Sequence, residues 1–383
     1  MDIEYFTPLN HEILTFHEQL TSQHLGSKMK LHTNDNFPDL SKCTIVLIGV
    51  LEDRNDKKDN AVVDLNSFRK QLYQLYPGNW SSALADLGDI LPGNSKQDTF
   101  FALQAVVADL IKSKIIPVVV GGSHDCTYPL YRAYDFLDQM VNLVVVDKKF
   151  DFGKESDAIS SDSYLTKIIV EEPNNLFNFT NIGFQSYYNS QEEIDLVEKL
   201  YFDSYRLGTI SQDNTISEPV FRDADVVSVD LCSVASTDKG NFEDFEPNGF
   251  SGKEICTLCR YAGISDKLSV FGIFGHKNNP NEALLMAQMV WYFIEGVNFR
   301  TNEYPFSSKE NYIKYIVTTE NQDVIFYKSN KSDRWWIEIP DFQNENNKFS
   351  KHTLFPCTYQ EYLSACQDVY PERWWKAQRK MLG

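Results

Sequence analysis

The sequence predicts an α/β fold with one central parallel sheet, followed by a smaller α+β appendage. Continuous apolar runs rich in β-branched residues, such as 115–120 and 141–146, are typical of strands that are buried on both faces of a sheet. Segments with helical periodicity alternate with these runs up to residue 297, which favours helices packed on both faces of the sheet. After residue 304 the pattern changes to consecutive strand-like segments.

The strands of the main part are predicted from short apolar runs that end at glycine or at a polar residue. In chain order they are Thr44–Val50, Ala83–Ile90, Ile115–Val120, Val141–Val146, Phe177–Phe184, Arg206–Ile210, Val226–Asp230 and Ser269–Phe274. The charged segment Asp53–Asp64 after the first strand is interpreted as a solvated loop.

The helices are predicted from apolar residues at helical spacing and from residues that cap helix ends. Asp98 or Thr99 is expected to cap one helix, and Ser251 with Glu254 forms a capping box at another. In chain order the predicted helices are Glu18–Leu25, Val63–Tyr76, Asp98–Lys112, Thr127–Met140, Tyr164–Val170, Glu192–Tyr201, Ser251–Ala262 and Asn281–Val297.

The change of pattern divides the chain into a main α/β domain, residues 1–304, and an aromatic-rich α+β extension, residues 305–383. In the extension, three strand-like segments (Tyr312–Thr318, Asp323–Ser329 and Arg334–Ile339) precede two helical ones. Its tryptophan and tyrosine rings either dock the extension on the main domain, which we favour, or form an exposed patch for a protein partner.

Composition narrows the classes of function. The 383-residue chain has a net charge of −18, which opposes nucleic acid and anionic membranes as partners. No apolar stretch reaches the length of a membrane span, and the first residues lack a signal-peptide pattern. Seven scattered cysteines indicate reduced thiols, so a cytoplasmic protein is expected. The Cys256–Cys259 pair lies within a predicted helix and favours packed thiols over zinc.

Chemically distinctive side chains follow three of the predicted strands. His124 comes just after Gly121-Gly122, Asp147 ends the next strand with Asp151 four residues on, and Asp230 ends a third. Ligands of open α/β sheets bind outside the carboxyl ends of the strands, so these side chains are expected to meet at one edge. One imidazole among several carboxylates is a donor set typical of a metal site.

These strand ends resemble the motifs of the ureohydrolase superfamily, which includes arginase, agmatinase and formimidoylglutamase. The family's GGDH, DAHxD and SxDxD motifs resemble GGSH at 121–124, DKKFD at 147–151 and SVDLC at 228–232. Further similarity lies in DLGD at 86–89 and in PNGFSGKE at 247–254. The likeness extends as ordered motifs from about residue 45 to residue 299 and implies an arginase-like three-layer fold.

The resemblance also implies a metal centre, but with the ligands of only one of the family's two ions. In the family two Mn²⁺ ions share a set of ligands, and the first ion's ligands correspond to His124, Asp147, Asp151 and Asp230. At the positions of the ligands unique to the second ion, this chain has Lys149 and Cys232. An ammonium cannot ligate a cation, and a thiolate gives a softer site than manganese prefers.

Two states of the centre remain open from the sequence. In the first, one divalent ion binds, manganese being preferred, and the Lys149 ammonium lies near the vacated second position, so that +2 and +1 balance the three aspartates. In the second, no metal binds, and Lys149 with a protonated His124 pairs directly with the acids as a buried network.

The substrate side of the motif is also altered. A glutamate follows the last core strand in the family and anchors the substrate cation, whereas Gly275 stands nearest that position here, with His276 and Lys277 inserted before Asn278-Asn279-Pro280. A cationic amidine or guanidine would lose its counter-charge. The sequence therefore favours a catalytically impaired or inactive family member that acts as a binding or assembly module.

The alternative is a metal-dependent hydrolase of a C–N bond in a linear amidine or guanidine, similar to formimidoylglutamase or arginase. It would use one metal ion, with Asp125 or His276 as general base. A nucleotide-binding Rossmann protein is disfavoured because the GGSHD segment lacks the GxGxxG turn. Family members are usually trimers or hexamers, so a homo-oligomer is expected, and the extension is a second candidate surface for a protein partner.

Overall fold

The computed structural model describes residues 2–54, 63–137, 139–154, 158–243, 245–303, 309–319, 323–339 and 354–382. Its larger sheet contains the strands β1 (Met29–Leu31), β2 (Ile45–Val50), β3 (Leu84–Ile90), β4 (Ile116–Val120), β5 (Val141–Val146), β6 (Leu176–Phe184), β7 (Asp203–Arg206), β8 (Val226–Asp230) and β9 (Val270–Phe274). These nine strands pair in parallel in the order β1-β3-β2-β4-β9-β8-β5-β6-β7. The predicted parallel α/β sheet is confirmed.

Helices connect these strands and cover the sheet. They are α1 (His11–Glu18), α2 (Asn66–Tyr73), α3 (Lys96–Lys112), α4 (Thr127–Arg132), α5 (Tyr164–Val170), α6 (Gln191–Lys199), α7 (Leu207–Gln212), α8 (Glu218–Asp223), α9 (Ser236–Lys239), α10 (Gly252–Gly263) and α11 (Pro280–Asn298). No helix in the described ranges is long and apolar enough to cross a bilayer.

Alternation along the central strands produces three layers. In β5, Val144 and Val146 belong to one apolar cluster, whereas Leu143 and Val145 belong to a second cluster on the opposite face. Helices α2, α10 and α11 contribute to the first cluster, and α3, α4 and α5 contribute to the second. Each aliphatic side chain buried in this way contributes about 1.5–3 kcal/mol, which explains the continuous apolar runs in the sequence.

Several predicted boundaries differ from the structure. The crossover helix predicted for Thr127–Met140 ends as an α-helix at Arg132 and continues as a 3₁₀ turn to Phe136. The structure has α1 in place of the helix predicted for Glu18–Leu25, because the Asn10 side chain caps the backbone N–H of Ile13.

Two further corrections concern caps and a short strand. The cap of α3 is Ser95, which forms a capping box with Asp98, so α3 begins before the predicted caps Asp98 and Thr99. The strand predicted for Arg206–Ile210 is β7, which ends at Arg206, and the chain turns directly into α7. Most of the loop predicted for Asp53–Asp64 lies outside the described residues.

The C-terminal part forms a second, antiparallel sheet. It contains β10 (Tyr312–Thr318), β11 (Asp323–Ser329), β12 (Trp335–Glu338) and β13 (Leu354–Cys357), in the order β10-β11-β12-β13, and is followed by α12 (Tyr359–Ala365) and α13 (Glu372–Leu382). The first three strands and both helices agree with the sequence prediction, and β13 was not predicted. The expected boundary at 304–305 lies outside the described residues.

The second sheet packs against the main domain through both apolar and cationic contacts. Phe177 from β6 lies in the same apolar cluster as Trp335 and Trp374. The buried Arg222 guanidinium of α8 donates to the carbonyl oxygens of Trp335, at 3.1 Å, and Cys357, at 3.0 Å. These contacts agree with the interpretation that the extension docks on the main domain.

Candidate metal centre

The centre lies at the carboxyl ends of four neighbouring strands, β4, β9, β8 and β5. The chain leaves β4 through Gly121 and Gly122, with φ of +85° and +75°, before it reaches His124. A Cβ atom at Gly122 would lie 2.8 Å from the carbonyl oxygen of Glu52, so this turn requires glycine. Asp230 and Asp147 follow directly from β8 and β5. Strand order therefore brings residues more than 100 positions apart to one edge.

The four residues predicted to bind the first metal lie together, because the carboxylates of the three aspartates converge on one imidazole nitrogen of His124. His124 Nδ1 lies 3.1 Å from Asp147 Oδ2, 3.2 Å from Asp151 Oδ2 and 3.5 Å from Asp230 Oδ2. The His124 side chain is only 1% exposed. The structure thus brings together all four residues that the sequence assigns to one ion.

Other contacts fix the orientation of these side chains. His124 Nε2 lies 3.2 Å from the hydroxyl of Ser228, which in turn lies 2.5 Å from the hydroxyl of Thr127. The edge of the imidazole packs against the Tyr164 ring at a centroid distance of 5.1 Å. Asp151 adopts the left-handed conformation, with φ of +58°, which a short polar side chain tolerates. Such supporting contacts hold metal ligands in place before the ion binds.

Burial and mutual contact shift the pKa values of the centre in opposite directions. Burial alone would lower the pKa of His124, but hydrogen bonds with Asp147 and Asp151 and the charge of Asp230 hold that pKa well above its usual range. Burial and the charge of Asp147 raise the pKa of Asp151 well above its ordinary value. Although burial would raise the pKa of Asp147, its hydrogen bond with His124 lowers it. The centre therefore holds protons tightly when no cation is bound.

The donor set fits one divalent cation. Ligand atoms of His124, Asp147 and Asp151 all lie within 4.8 Å of one another, and the Asp230 carboxylate faces the same nitrogen. One imidazole and three carboxylates are hard to borderline donors, which suit Mn²⁺. The same atoms also fit the direct pairing of a protonated His124 with the acids, so both sequence interpretations keep a geometric basis.

The donors beside Cys232 differ in chemistry. Cys232, Asp147 and Asp230 form a second group of possible ligands. Here the Cys232 thiol donates to Asp147 Oδ1 at 3.2 Å, and burial together with the charges of Asp147 and Asp230 raises its pKa well above the ordinary value. Cys232 is therefore a protonated hydrogen-bond donor in this environment, and a thiolate ligand would require the loss of that proton.

Lys149 corrects a further expectation. Its ammonium pairs with Asp162 at 3.0 Å and its side chain is 38% exposed, so it does not fill the space beside Cys232. The backbone explains the direction, because the Lys149 N–H donates to Asp147 and its carbonyl accepts from Asn181, which turns the side chain outwards. The lysine that faces inwards is Lys148, which pairs with Glu246.

A cavity of about 140 Å³ adjoins the centre. Polar and charged side chains dominate its wall. The lining residues are Asp53, Ser123, His124, Lys148, Ser161, Asp230, Cys232, Lys239, Asn241, Glu246, Gly275, Lys277 and Glu282. The sequence analysis singled out His124, Asp230, Cys232, Gly275 and Lys277 among these residues, and the other charged residues of the wall were missed.

Neither candidate general base lines this cavity. Asp125 is fully buried, accepts a hydrogen bond from the Ser123 hydroxyl at 2.5 Å and pairs with Lys96 at the start of α3. His276 is buried with its Nδ1 3.3 Å from Glu282 Oε2. Both residues therefore lie behind the cavity wall and contact it through the lining residues Ser123 and Glu282, so their assignment as general bases stays a prediction.

Gly275 and Glu282 bear on the family glutamate that anchors the substrate cation and that the sequence lacks at position 275. Gly275 has φ of +80°, and a Cβ atom there would lie 2.6 Å from Asp230 Oδ1, so a side chain at this position would be strained and would require Asp230 to shift. A carboxylate reaches the cavity wall instead from Glu282, in the first turn of α11. It accepts hydrogen bonds from Asn241 and from the Lys277 N–H. In the sequence, Glu282 stands two residues after Pro280, whereas the family's glutamate was expected before Asn279-Pro280, near Gly275.

Comparisons with known proteins agree with this geometry. A model of the Arginase family matches residues 44–262. A formiminoglutamase of Trypanosoma cruzi with Mn²⁺ is 19% identical, with a TM-score of 0.59, over 67% of this chain and 94% of that chain. A formimidoylglutamase from Bacillus subtilis is 15% identical, with a TM-score of 0.61, over 75% and 99%.

An agmatine ureohydrolase of Thermoplasma volcanium is 19% identical, with a TM-score of 0.57, over 74% of this chain and 97% of that chain. A comparison with curated proteins finds no match. Identities this low establish a common fold, and the chemistry of this chain has to be argued from its own residues.

Proposed function

Because this chain belongs to the arginase family, we propose that it binds one divalent cation, preferably Mn²⁺, and acts as a binding or assembly module with impaired hydrolytic activity. His124, Asp147, Asp151 and Asp230 would hold the ion. The observation that carries the proposal is the contrast between this buried donor set and Cys232, which is a protonated thiol beside the same carboxylate.

The residues around the cavity support the loss of hydrolysis. Asp125 and His276 do not line the cavity, and each is engaged by another side chain, Asp125 by Lys96 and His276 by Glu282, which disfavours either of them as the base for a water molecule in the cavity. Gly275 offers no carboxylate, and a side chain placed there would displace Asp230 from its present position. Binding remains available to this wall because it carries charged groups of both signs.

A one-metal hydrolase of linear amidines or guanidines is the second candidate. The specific observation in its favour is that Glu246 and Glu282 place two carboxylates on the cavity wall, where they could face a cationic group. A bound divalent ion would supply an activated water at neutral pH. Both carboxylates are engaged, however, Glu246 by Lys148 and Glu282 by Asn241, which weakens their attraction for a substrate cation.

The test combines metal content with turnover. Protein loaded with Mn²⁺ and then dialysed should contain one equivalent by mass spectrometry of the elements, and it should release no urea, ammonia or formamide from arginine, agmatine or N-formimidoylglutamate above the uncatalysed rate. Two tightly held equivalents would contradict the single-ion centre. Turnover that depends on Mn²⁺ would establish the hydrolase instead.

Assembly and location are proposed on separate grounds. We propose a homo-oligomer, in keeping with the family, and a folded C-terminal unit over residues 305–383 whose outer surface is free for contacts. Light scattering across micromolar concentrations should give a mass above that of one 44.2 kDa chain. The seven cysteines, all unpaired, suit a reducing compartment such as the cytoplasm.

A further inference from the structure

One lysine of the cavity wall is buried without an anionic partner. The Lys239 side chain belongs to a residue only 5% exposed, and its ammonium has a single acceptor, the carbonyl oxygen of Leu231 at 3.4 Å. Among the described residues, no carboxylate lies within ion-pairing distance of it. An ammonium carries three donors, so at least two of them face the cavity without a protein acceptor.

Among the other charged groups of the wall, Lys148, Glu246 and Glu282 have side-chain partners, whereas Lys277 is exposed and Asp53 is partly exposed. Lys148 pairs with Glu246 and lies 4.7 Å from the centre of the Tyr188 ring. Glu282 accepts from Asn241 at 2.8 Å and from the Lys277 N–H at 2.9 Å. Lys239 is therefore the buried charge of this wall that remains open to an incoming group.

Lys239 lies close to the candidate metal centre. Leu231, whose carbonyl it approaches, is the residue after Asp230. The short helix α9, which ends at Lys239, is held at its first residue by two hydrogen bonds between Ser236 and Glu246, each of 2.8 Å. A group bound at the ammonium would thus lie in the cavity next to the strand end that delivers Asp230.

We propose that this cavity binds a small carboxylic acid, whose carboxylate is received by the Lys239 ammonium. The inference rests on the proposed function, since it names the ligand of a binding site and not a substrate of hydrolysis. A cationic amidine would meet Lys239 without screening, whereas a carboxylate would supply its missing acceptors and charge.

Size and charge narrow the ligand further. The cavity volume of about 140 Å³ corresponds to roughly four or five water molecules, so the acid has few carbon atoms. A phosphate dianion is disfavoured because the wall offers one buried open ammonium, that of Lys239, with the exposed Lys277 as the other lysine without a side-chain partner among the described residues and no arginine, while phosphate sites use several charge-assisted donors. Succinate and butane-1,4-diamine are matched probes, because they have similar length and opposite charge.

The experiment measures both probes, and inorganic phosphate, by calorimetry on the full chain loaded with Mn²⁺. Succinate is expected to bind more tightly than the diamine, and Lys239→Met should weaken succinate binding by about 10- to 100-fold. Lys239→Arg should retain most of the affinity. Lys253→Met, which removes an exposed lysine of α10, is the matched control and should leave it unchanged.

Thermal unfolding separates a binding role from a structural one. Removing a buried ammonium that has no anionic partner should leave the melting temperature of the ligand-free protein unchanged or raise it. A lower melting temperature for Lys239→Met with unchanged succinate binding would overturn the proposal, as would preferential binding of the diamine or of phosphate. Metal content is recorded on the same samples, so failure of the single-ion centre is recognised independently of failure of acid binding.

Discussion

The two sides of the candidate metal centre share Asp147 and Asp230 but differ in the chemistry of their other side chains. On the His124 side, an imidazole faces three carboxylates and is almost inaccessible to solvent. On the Cys232 side, a thiol donates to the other oxygen of Asp147, and the neighbouring lysine points outwards to Asp162. At one sheet edge, therefore, the His124 side offers a full set of ligands for a cation. On the adjacent Cys232 side, the thiol already satisfies the Asp147 carboxylate without a cation.

This difference teaches that ligand side chains of a motif can be exchanged without loss of the fold. The backbone N–H groups of Lys149 and Cys232 still donate to Asp147 and Asp230, at 3.1 and 2.8 Å. The loops therefore keep the conformation that presents the carboxylates even though two side chains have changed. The following predictions test how far the two sides are independent.

The largest effect is expected on the His124 side. Asp151→Asn removes one of the carboxylates around His124 and should weaken Mn²⁺ binding by at least about 100-fold, because even residues that only support a ligand change affinity 10- to 100-fold. Titration calorimetry measures the change. Asp162→Asn, at the exposed partner of Lys149, is the matched control and should bind Mn²⁺ like the unmodified protein. Equal affinities for both variants would show that Asp151 is not a ligand.

The Cys232 side should gain an ion when its donors are exchanged. Lys149→His combined with Cys232→Asp supplies an imidazole and a carboxylate at the altered positions, so the Mn²⁺ content should rise from one equivalent to two. Cys232→Ser, which adds no charge, should stay at one. A double variant that still holds one ion would mean that the outward direction of residue 149 is fixed by its backbone contacts.

Acidity should separate the metal-free state from the metal-bound state. Since the pKa of His124 is raised well above its usual range by Asp147, Asp151 and Asp230, despite its burial, Mn²⁺ must displace a proton from the ring at neutral pH. Affinity should therefore increase with pH, by up to about tenfold per unit below that raised pKa. Calorimetry in buffers of different ionisation enthalpy measures the released proton.

The stability of the metal-free protein should show the opposite trend. The contribution of His124 is fully present below its pKa in the unfolded chain, near 6.5, and is lost as pH rises through the raised pKa of the folded state. Urea unfolding at pH 6 and pH 9, with and without Mn²⁺, tests this. Affinity and stability that are both independent of pH would exclude a protonated His124 in the metal-free centre.

A smaller effect is expected from the wall beside Asp230. Gly275→Ala forces a side chain into a left-handed position 2.6 Å from Asp230 Oδ1, so the free energy of unfolding should fall by about 1–3 kcal/mol and Mn²⁺ binding should weaken several-fold. Gly208→Ala is the control, because a Cβ atom there meets nothing within 4 Å in helix α7, and it should be neutral or slightly stabilising. Unfolding curves that coincide would show that Asp230 moves freely.

Much of the fold could be predicted because the central strands leave strong local signals. Val226–Asp230 and Val141–Val146 were predicted with the bounds that the structure has, since both are short apolar runs with a polar end. Two strands were not predicted, because their formation depends on tertiary contacts and not on a local sequence pattern. The strand Met29–Leu31 pairs with only three residues of β3, and Leu354–Cys357 contains a proline, so neither has a recognisable periodicity.

For the site, the sequence predicted which ligands could meet but not where the loop side chains point. Strand alternation ends at Val146, and beyond it the direction of Lys148 and Lys149 depends on hydrogen bonds to distant residues such as Asn181 and Glu246. Glu282 and Lys239 reach the cavity from helices α11 and α9, which follow other strands. No spacing rule relates such residues, because their proximity arises from packing between layers.

The contacts of the Arg222 guanidinium bear on whether the C-terminal extension can be removed from the protein. It is buried, lies 4.6 Å from the centre of the Trp336 ring and donates to two carbonyl oxygens of the second sheet. A version that ends where the family likeness ends would strip those acceptors from the cation and uncover Phe177. Glu218 of α8 would remain its ion-pair partner, at 3.3 Å, but two hydrogen bonds to a charged group, each contributing about 1.5–3 kcal/mol, would be lost. We therefore expect the main domain to be less stable when residues 305–383 are removed.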